Sequence, residues 1–173
     1  MAKVHQKAPE FTAPAVVNGE IKDVSLSDYR GKWVVIVFYP LDFTFVCPTE
    51  LQAFAQAQAE YKKAGVEVLA ISVDSVYCHK AWLERDLPDV KYPMVSDITK
   101  TISQDYGVLD EEKGIAIRGT FVIDPEGVLQ YAVNSGLGLG RSTDETLRVV
   151  QALQTGELCP ANWRPGQKTL GKA

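Results

Sequence analysis

The chain has 173 residues, 46% hydrophobic and 23% charged, with a formal net charge of −4 at pH 7. That is enough to bury one substantial core, and an acidic balance without a basic run excludes nucleic acid and anionic membrane as principal partners. The opening Met-Ala-Lys-Val-His-Gln carries no apolar signal region, and no stretch approaches the ~18 apolar residues of a spanning helix, so a cytoplasmic location is expected.

The turn signal Asn18-Gly19 predicts a hairpin between short strands over 15–17 and 21–24. Trp33–Phe38 is apolar and β-branched throughout, which reads as a strand covered on both faces. Leu51, Phe54, Ala55 and Tyr61 at helical spacing predict a helix over 50–63, stopped at Gly65. A buried strand follows over 66–73, then helices over 78–87 and 99–106, closed by Pro88 and Gly107. Strands over 120–123 and 128–133 flank the turn Asp124-Pro125-Glu126-Gly127. Ser142-Thr143-Asp144-Glu145 fits a capping box and starts a last helix to about residue 154. The order predicts an α/β fold with a central mixed sheet flanked by helices, over residues 1–155. From 156 to 173 the chain turns rich in Pro and Gly and reads as an irregular tail, able to extend away. The run Gly136-Leu137-Gly138-Leu139-Gly140 is not a dinucleotide pattern and reads as loop.

There are three cysteines, Cys47, Cys78 and Cys159, and two histidines, His5 and His79. They are too few and too widely spaced for a zinc site, and in a reducing compartment they are not a permanent disulfide framework. Cys47 stands out by position. It follows a buried strand, precedes Pro48, a favoured first-turn residue, and so sits at the N-cap or first turn of a helix. Orphan amides and the positive end of the helix dipole favour a thiolate there. Glu50 stands three residues on, which excludes a Cys-x-x-Cys dithiol. Thr44, three residues back, can bring a hydroxyl beside the sulfur, and Pro40 can shield it from water without adding a donor.

The segment Phe38-Tyr-Pro-Leu-Asp-Phe-Thr-Phe-Val-Cys-Pro-Thr-Glu50 resembles the active-site signature of the typical two-cysteine peroxiredoxins, in the form of bacterial alkyl hydroperoxide reductase peroxidase subunits. Ala8-Pro9-Glu10-Phe11, Ser72-Val73-Asp74-Ser75 with His79-Lys80-Ala81-Trp82, the block 117–124 and the block 156–163 around Cys159 resemble further family segments in the same order. The resemblance implies a thioredoxin-like fold and a peroxidase cycle. Cys47 is then the peroxidatic cysteine, which reduces hydrogen peroxide or an organic hydroperoxide and becomes a sulfenic acid. Cys159 of the partner subunit is the resolving cysteine, and closes an intersubunit disulfide. Pro40, Thr44, Cys47 and Arg118 would form the peroxide pocket, with Glu50 orienting the arginine. Arg118 also has a reason of its own, since a fixed charge at the head of an apolar strand would stabilise a thiolate.

The family further implies a homodimer, assembling as a ring of five dimers. With no flavin or nicotinamide site apparent, no cofactor is expected, and reducing equivalents would come from a flavoprotein disulfide reductase or a thioredoxin. Cys78, at a helix start, could be activated by the same dipole but reads as an incidental thiol, and His79 and Trp82 read as structural. The loop 108–114 lacks the Gly-Gly-Leu-Gly of overoxidation-prone members, and no Tyr-Phe helix follows Cys159. A robust enzyme that resists sulfinic acid formation is expected. A ring-forming holdase chaperone or redox-signalling binder, and a single-cysteine mechanism, are the competing readings.

Overall fold

Strand β3 (Trp33–Phe38), uninterrupted by any polar residue, organises the sheet. The computed structural model describes residues 1–172 and divides into two compact units, Met1–Arg141 and the segment from Ser142 onward. In the first unit the hairpin β1 (Thr12–Val17) and β2 (Glu20–Ser25) precedes β3. Helices α1 (Val46–Gln56) and α2 (Gln58–Lys63), strand β4 (Val66–Ser72), helix α3 (Val76–Asp86) and strand β5 (Met94–Ser96) follow. Helix α4 (Thr101–Asp105), the two-residue strands β6 (Leu109–Asp110) and β7 (Ile115–Ala116), and strands β8 (Arg118–Ile123) and β9 (Leu129–Ser135) complete it.

The expected mixed sheet is present, seven strands in the order β2-β1-β5-β4-β3-β8-β9. Strand β3 runs parallel to β4 and antiparallel to β8, with Phe38 opposite Ile71 and Val37 opposite Thr120. Two placements follow. The carboxyl ends of β3 and β4 lie side by side, each leading into an eleven-residue helix, and the first residue of β8, Arg118, lies beside the end of β3. Alternate residues Val34, Ile36 and Phe38 enter one apolar cluster with Leu69, Ile71, Phe121 and Ile123, while Val35 and Val37 are equally buried outside it. A strand covered on both faces needs this composition.

The turns behave as their residues require. Asn18 and Gly19 take φ of 52° and 82°, and Gly127 closes the Asp124 turn at φ 80°. The expected helix over 50–63 is two helices parted at Ala57, whose ψ flattens to −2°. No Gly or Pro marks that break, so the sequence offers no signal for it. Strands β5, β6 and β7 are also beyond a periodicity reading, because two or three residues hold no period.

In the second unit, Ser142 caps α5 (Thr143–Gln154), its hydroxyl accepting from the Glu145 amide at 3.1 Å. The described residues after α5 form no helix or strand, yet they fold back on themselves. The Leu158 amide donates to the Gly171 carbonyl at 2.9 Å and the Leu170 amide to the Leu158 carbonyl at 2.8 Å, while Trp163 is 5% exposed. No described helix is long and apolar enough to cross a membrane.

Candidate active site

The chain leaving β3 turns sharply at Phe43, which takes φ 54°. A bulky residue in the left-handed region is strained, and such strain persists only where surrounding contacts hold it. Here the Phe43 ring lies 5.6 Å from the Trp82 ring, with the Arg85 guanidinium 4.5 Å from its centroid. The turn throws the chain back into α1, which begins at Val46 and holds Cys47 in its first turn, as expected. Phe45 is already in the right-handed helical region, so Cys47 is the second residue of the helix and Pro48 the third. The N-cap residue Phe45 makes no side-chain cap hydrogen bond.

Cys47 is 1% exposed, but it borders a cavity of about 240 Å³ lined by Pro40, Leu41, Thr44, Phe45, Val46, Ile115, Arg118 and Leu137. The structure thus gathers all four expected pocket residues, Pro40, Thr44, Cys47 and Arg118, around one space. Arg118 Nη1 lies 3.4 Å from Cys47 Sγ and 2.6 Å from Glu50 Oε2, and its Nε donates to the Leu137 carbonyl at 2.9 Å. The glycine-rich loop therefore supplies a contact that its composition alone does not disclose.

The sequence reading missed Arg141. Its amide and Nε both donate to Glu50 Oε1 at 2.8 Å, Nη2 donates to Oε2 at 2.9 Å, and Nη1 reaches the Gly119 carbonyl at 2.8 Å. Glu50, 2% exposed, is thus gripped by two guanidiniums. Burial, the largest single influence, works to raise its pKa. The hydrogen bonds and charge of Arg141, with the charge of Arg118, outweigh burial and hold the carboxyl below its ordinary value. Glu50 stays ionised, and Arg118 keeps one fixed aim. Arg141 stands 91 residues from Glu50, between a glycine loop and a helix cap, where it reads as a surface charge.

The second thiol behind a strand is different. The dipole argument that could activate Cys78 is overturned: burial first, then the carboxylates of Asp42 and Asp74, push its pKa up to about 12. Asp42, Asp74 and Cys78 set ligand-type atoms within 4.8 Å of one another, but protein donors already occupy both carboxylates. His79 is wholly buried, Nδ1 on Asp42 Oδ2 at 2.8 Å and Nε2 on the Val95 carbonyl at 3.2 Å, so neither nitrogen is free to act as a base. Cys159 lies in the second unit, with Sγ 3.5 Å from Thr155 Oγ1 and 3.7 Å from the Ala152 carbonyl.

Residues 4–132 match the AhpC/TSA family and residues 152–173 the C-terminal domain of 1-Cys peroxiredoxin. The chain is 52% identical over 177 residues to the chloroplastic 2-Cys peroxiredoxin BAS1 of Hordeum vulgare, covering 96% of this chain and 84% of that protein. It is 51% identical over 178 residues to peroxiredoxin-2 of Mus musculus, covering 98% and 90%. Among solved structures, reduced 2-Cys peroxiredoxin of Plasmodium vivax superposes with a TM-score of 0.92 at 40% identity, over 97% of this chain and 92% of that one. Enterococcus faecalis AhpC gives 0.88 at 37% identity, over 92% and 100%. The fold is thioredoxin-like and the class is that of the thiol peroxidases. The chain belongs to the AhpC/TSA family, as a peroxiredoxin of the two-cysteine type: an antioxidant oxidoreductase acting on peroxide.

Proposed function

We propose that Cys47 is the peroxidatic thiol, reducing hydrogen peroxide and small organic hydroperoxides. The observation that carries this is the Arg118 guanidinium 3.4 Å from Cys47 Sγ, beside a cavity of about 240 Å³ that also presents Thr44. The thiolate attacks one peroxide oxygen, an S–O bond forms as the O–O bond breaks, and the departing oxygen takes a proton and leaves as water or alcohol. Cys47 is then a sulfenic acid. Arg118 stabilises negative charge on sulfur and on the departing oxygen, while the apolar lining excludes water. Pro40 closes the cavity without offering a donor, and Glu50, with Arg141 behind it, aims Arg118.

Cys159 then attacks the Cys47 sulfur, expelling the hydroxyl as water and forming the disulfide. In this proposal Cys159 comes from the partner of a homodimer, within a ring of five dimers. Residues 1–155 act as the peroxidase domain and 156–173 as the tail that delivers the resolving thiol. A flavoprotein disulfide reductase or a thioredoxin returns both thiols, and the work is done in the cytoplasm. In this proposal the enzyme also resists sulfinic acid formation, because Cys159 captures the sulfenic acid before a second peroxide does.

Peroxide consumption and non-reducing electrophoresis test the scheme. Wild-type protein treated with one equivalent of peroxide gives a covalent dimer that either Cys47→Ser or Cys159→Ser abolishes, and Cys47→Ser stops consumption. Unchanged consumption in Cys47→Ser sinks the assignment of Cys47 as the peroxidatic thiol, and a wild type that consumes no peroxide leaves a chaperone or signalling role. Full turnover by Cys159→Ser with a protein disulfide reductant establishes the single-cysteine route suggested by the match over residues 152–173.

A further inference from the structure

A hydrogen-bond chain below the cavity has no part in the scheme above. Thr44 Oγ1 donates to the Leu41 carbonyl at 3.0 Å. That carbonyl shares its peptide unit with the Asp42 amide, which donates to Asp74 Oδ2 at 2.9 Å. Asp74 Oδ2 also accepts from the Ser72 hydroxyl at 2.8 Å, and the Asp74 carbonyl accepts from the Ser96 hydroxyl at 2.6 Å. One peptide plane therefore links a carboxylate just beyond β4 to a hydroxyl that lines the cavity. The same peptide is held from its other side, because the Asp42 carboxylate takes the Tyr39 hydroxyl at 2.7 Å and His79 Nδ1 at 2.8 Å.

The consequence comes from counting donors. A peptide unit is planar, so directing its N–H directs its C=O. A hydroxyl has one hydrogen and two lone pairs. With that hydrogen spent on Leu41, Thr44 meets the cavity with lone pairs alone. Arg118 meets it only as a donor. Hydrogen peroxide or an organic hydroperoxide, each with at least one O–H and two accepting oxygens, then binds with an O–H towards Thr44 and an oxygen towards Arg118. An N–H bond to an ionised carboxylate is stronger than one to a neutral acceptor, and it polarises the peptide so that Leu41 accepts more strongly.

We propose that Asp74 is a positioning residue for the peroxide pocket: through the Leu41–Asp42 peptide it commits the Thr44 hydroxyl hydrogen, so that Thr44 faces substrate as an acceptor. The proposal rests on Cys47 being the peroxide-reducing thiol. It touches no reacting atom itself.

The test uses full-length protein carrying Cys78→Ser and Cys159→Ser, so that Cys47 is the sole thiol. Two rates are measured: oxidation by hydrogen peroxide, with the sulfenic acid trapped by dimedone and counted by mass spectrometry, and alkylation by iodoacetamide. Alkylation needs the thiolate but no oriented acceptor. Asp74→Ala should slow oxidation by about tenfold to a hundredfold, the size of effect expected from a small misplacement, and leave alkylation unchanged. Asp74→Asn, whose amide oxygen can still accept from Asp42, should recover most of the oxidation rate. Oxidation of Asp74→Ala at the parent rate overturns the proposal. So does an equal slowing of both reactions, or Asp74→Asn as slow as Asp74→Ala. If the parent itself is not oxidised at Cys47, the functional reading fails instead, and a Cys47→Ser control identifies that case.

Discussion

Cys47 and Cys78 occupy nearly equivalent places. Each lies in the first turn of an eleven-residue helix that follows one of two adjacent parallel strands, Cys47 in α1 after β3 and Cys78 in α3 after β4. A helix dipole argument treats them alike. The side chains around them do not: Cys47 has the Arg118 guanidinium at 3.4 Å, whereas Cys78 faces Asp42 and Asp74 and its pKa is raised to about 12. The caps differ too, since the Ser75 hydroxyl takes the Cys78 amide at 3.2 Å, while the start of α1 has no side-chain cap. A helix start is thus a permissive position, and the two thiols differ in the charge set against them.

Exchanging the two cysteines one at a time gives the largest contrast. Cys47→Ser should abolish peroxide consumption and Cys78→Ser leave it unchanged, as read by a peroxide assay at fixed reductant. Removing the charge that distinguishes them comes next. Arg118→Ala should lower the second-order rate with peroxide by about 10²–10³, as for loss of one preorganised donor. Arg118→Lys should not restore it, because one ammonium nitrogen cannot stand both where Nε meets Leu137 and where Nη1 meets Cys47 and Glu50.

The Glu50 brace should be visible in stability. Its folded-state pKa lies below the ordinary 4.5. Its contribution is therefore fully present above that pH and is lost as pH falls through the folded value. Urea unfolding from pH 7 down to pH 3 should show a declining limb that Glu50→Gln flattens, with a cost near neutrality of about 3 kcal/mol for stranding a buried partner. The smallest effect belongs to Cys78. At pH 9 it should react with iodoacetamide far more slowly than free cysteine, and Asp42→Asn should speed it by removing a carboxylate, as peptide mapping would show.

Much of this site is written locally. Pro40, Thr44, Cys47 and Glu50 lie within eleven residues, so a strand, a turn and one helical turn suffice to gather them. Arg118 is legible as a charge heading an apolar strand, and antiparallel pairing of β8 with β3 carries it to the right end. Arg141 and Asp74 are not legible in this way. Arg141 acts on a carboxylate 91 residues away, and Asp74 acts through the backbone of another segment 32 residues away. Neither contact leaves a periodicity or spacing. The start of α1 is legible from Cys47-Pro48, and its first residue, Val46, lies just ahead because Phe45 is already in the helical region.

The packing of Phe43 has an optical consequence. Trp82, 1% exposed, lies 5.6 Å from the Phe43 ring and 6.2 Å from the Tyr39 ring, so one indole touches both sides of the segment that carries Pro40. With Trp33 and Trp163 replaced by phenylalanine, its emission would follow that segment without an attached dye, and the oxidation proposed for Cys47 could be timed from its light.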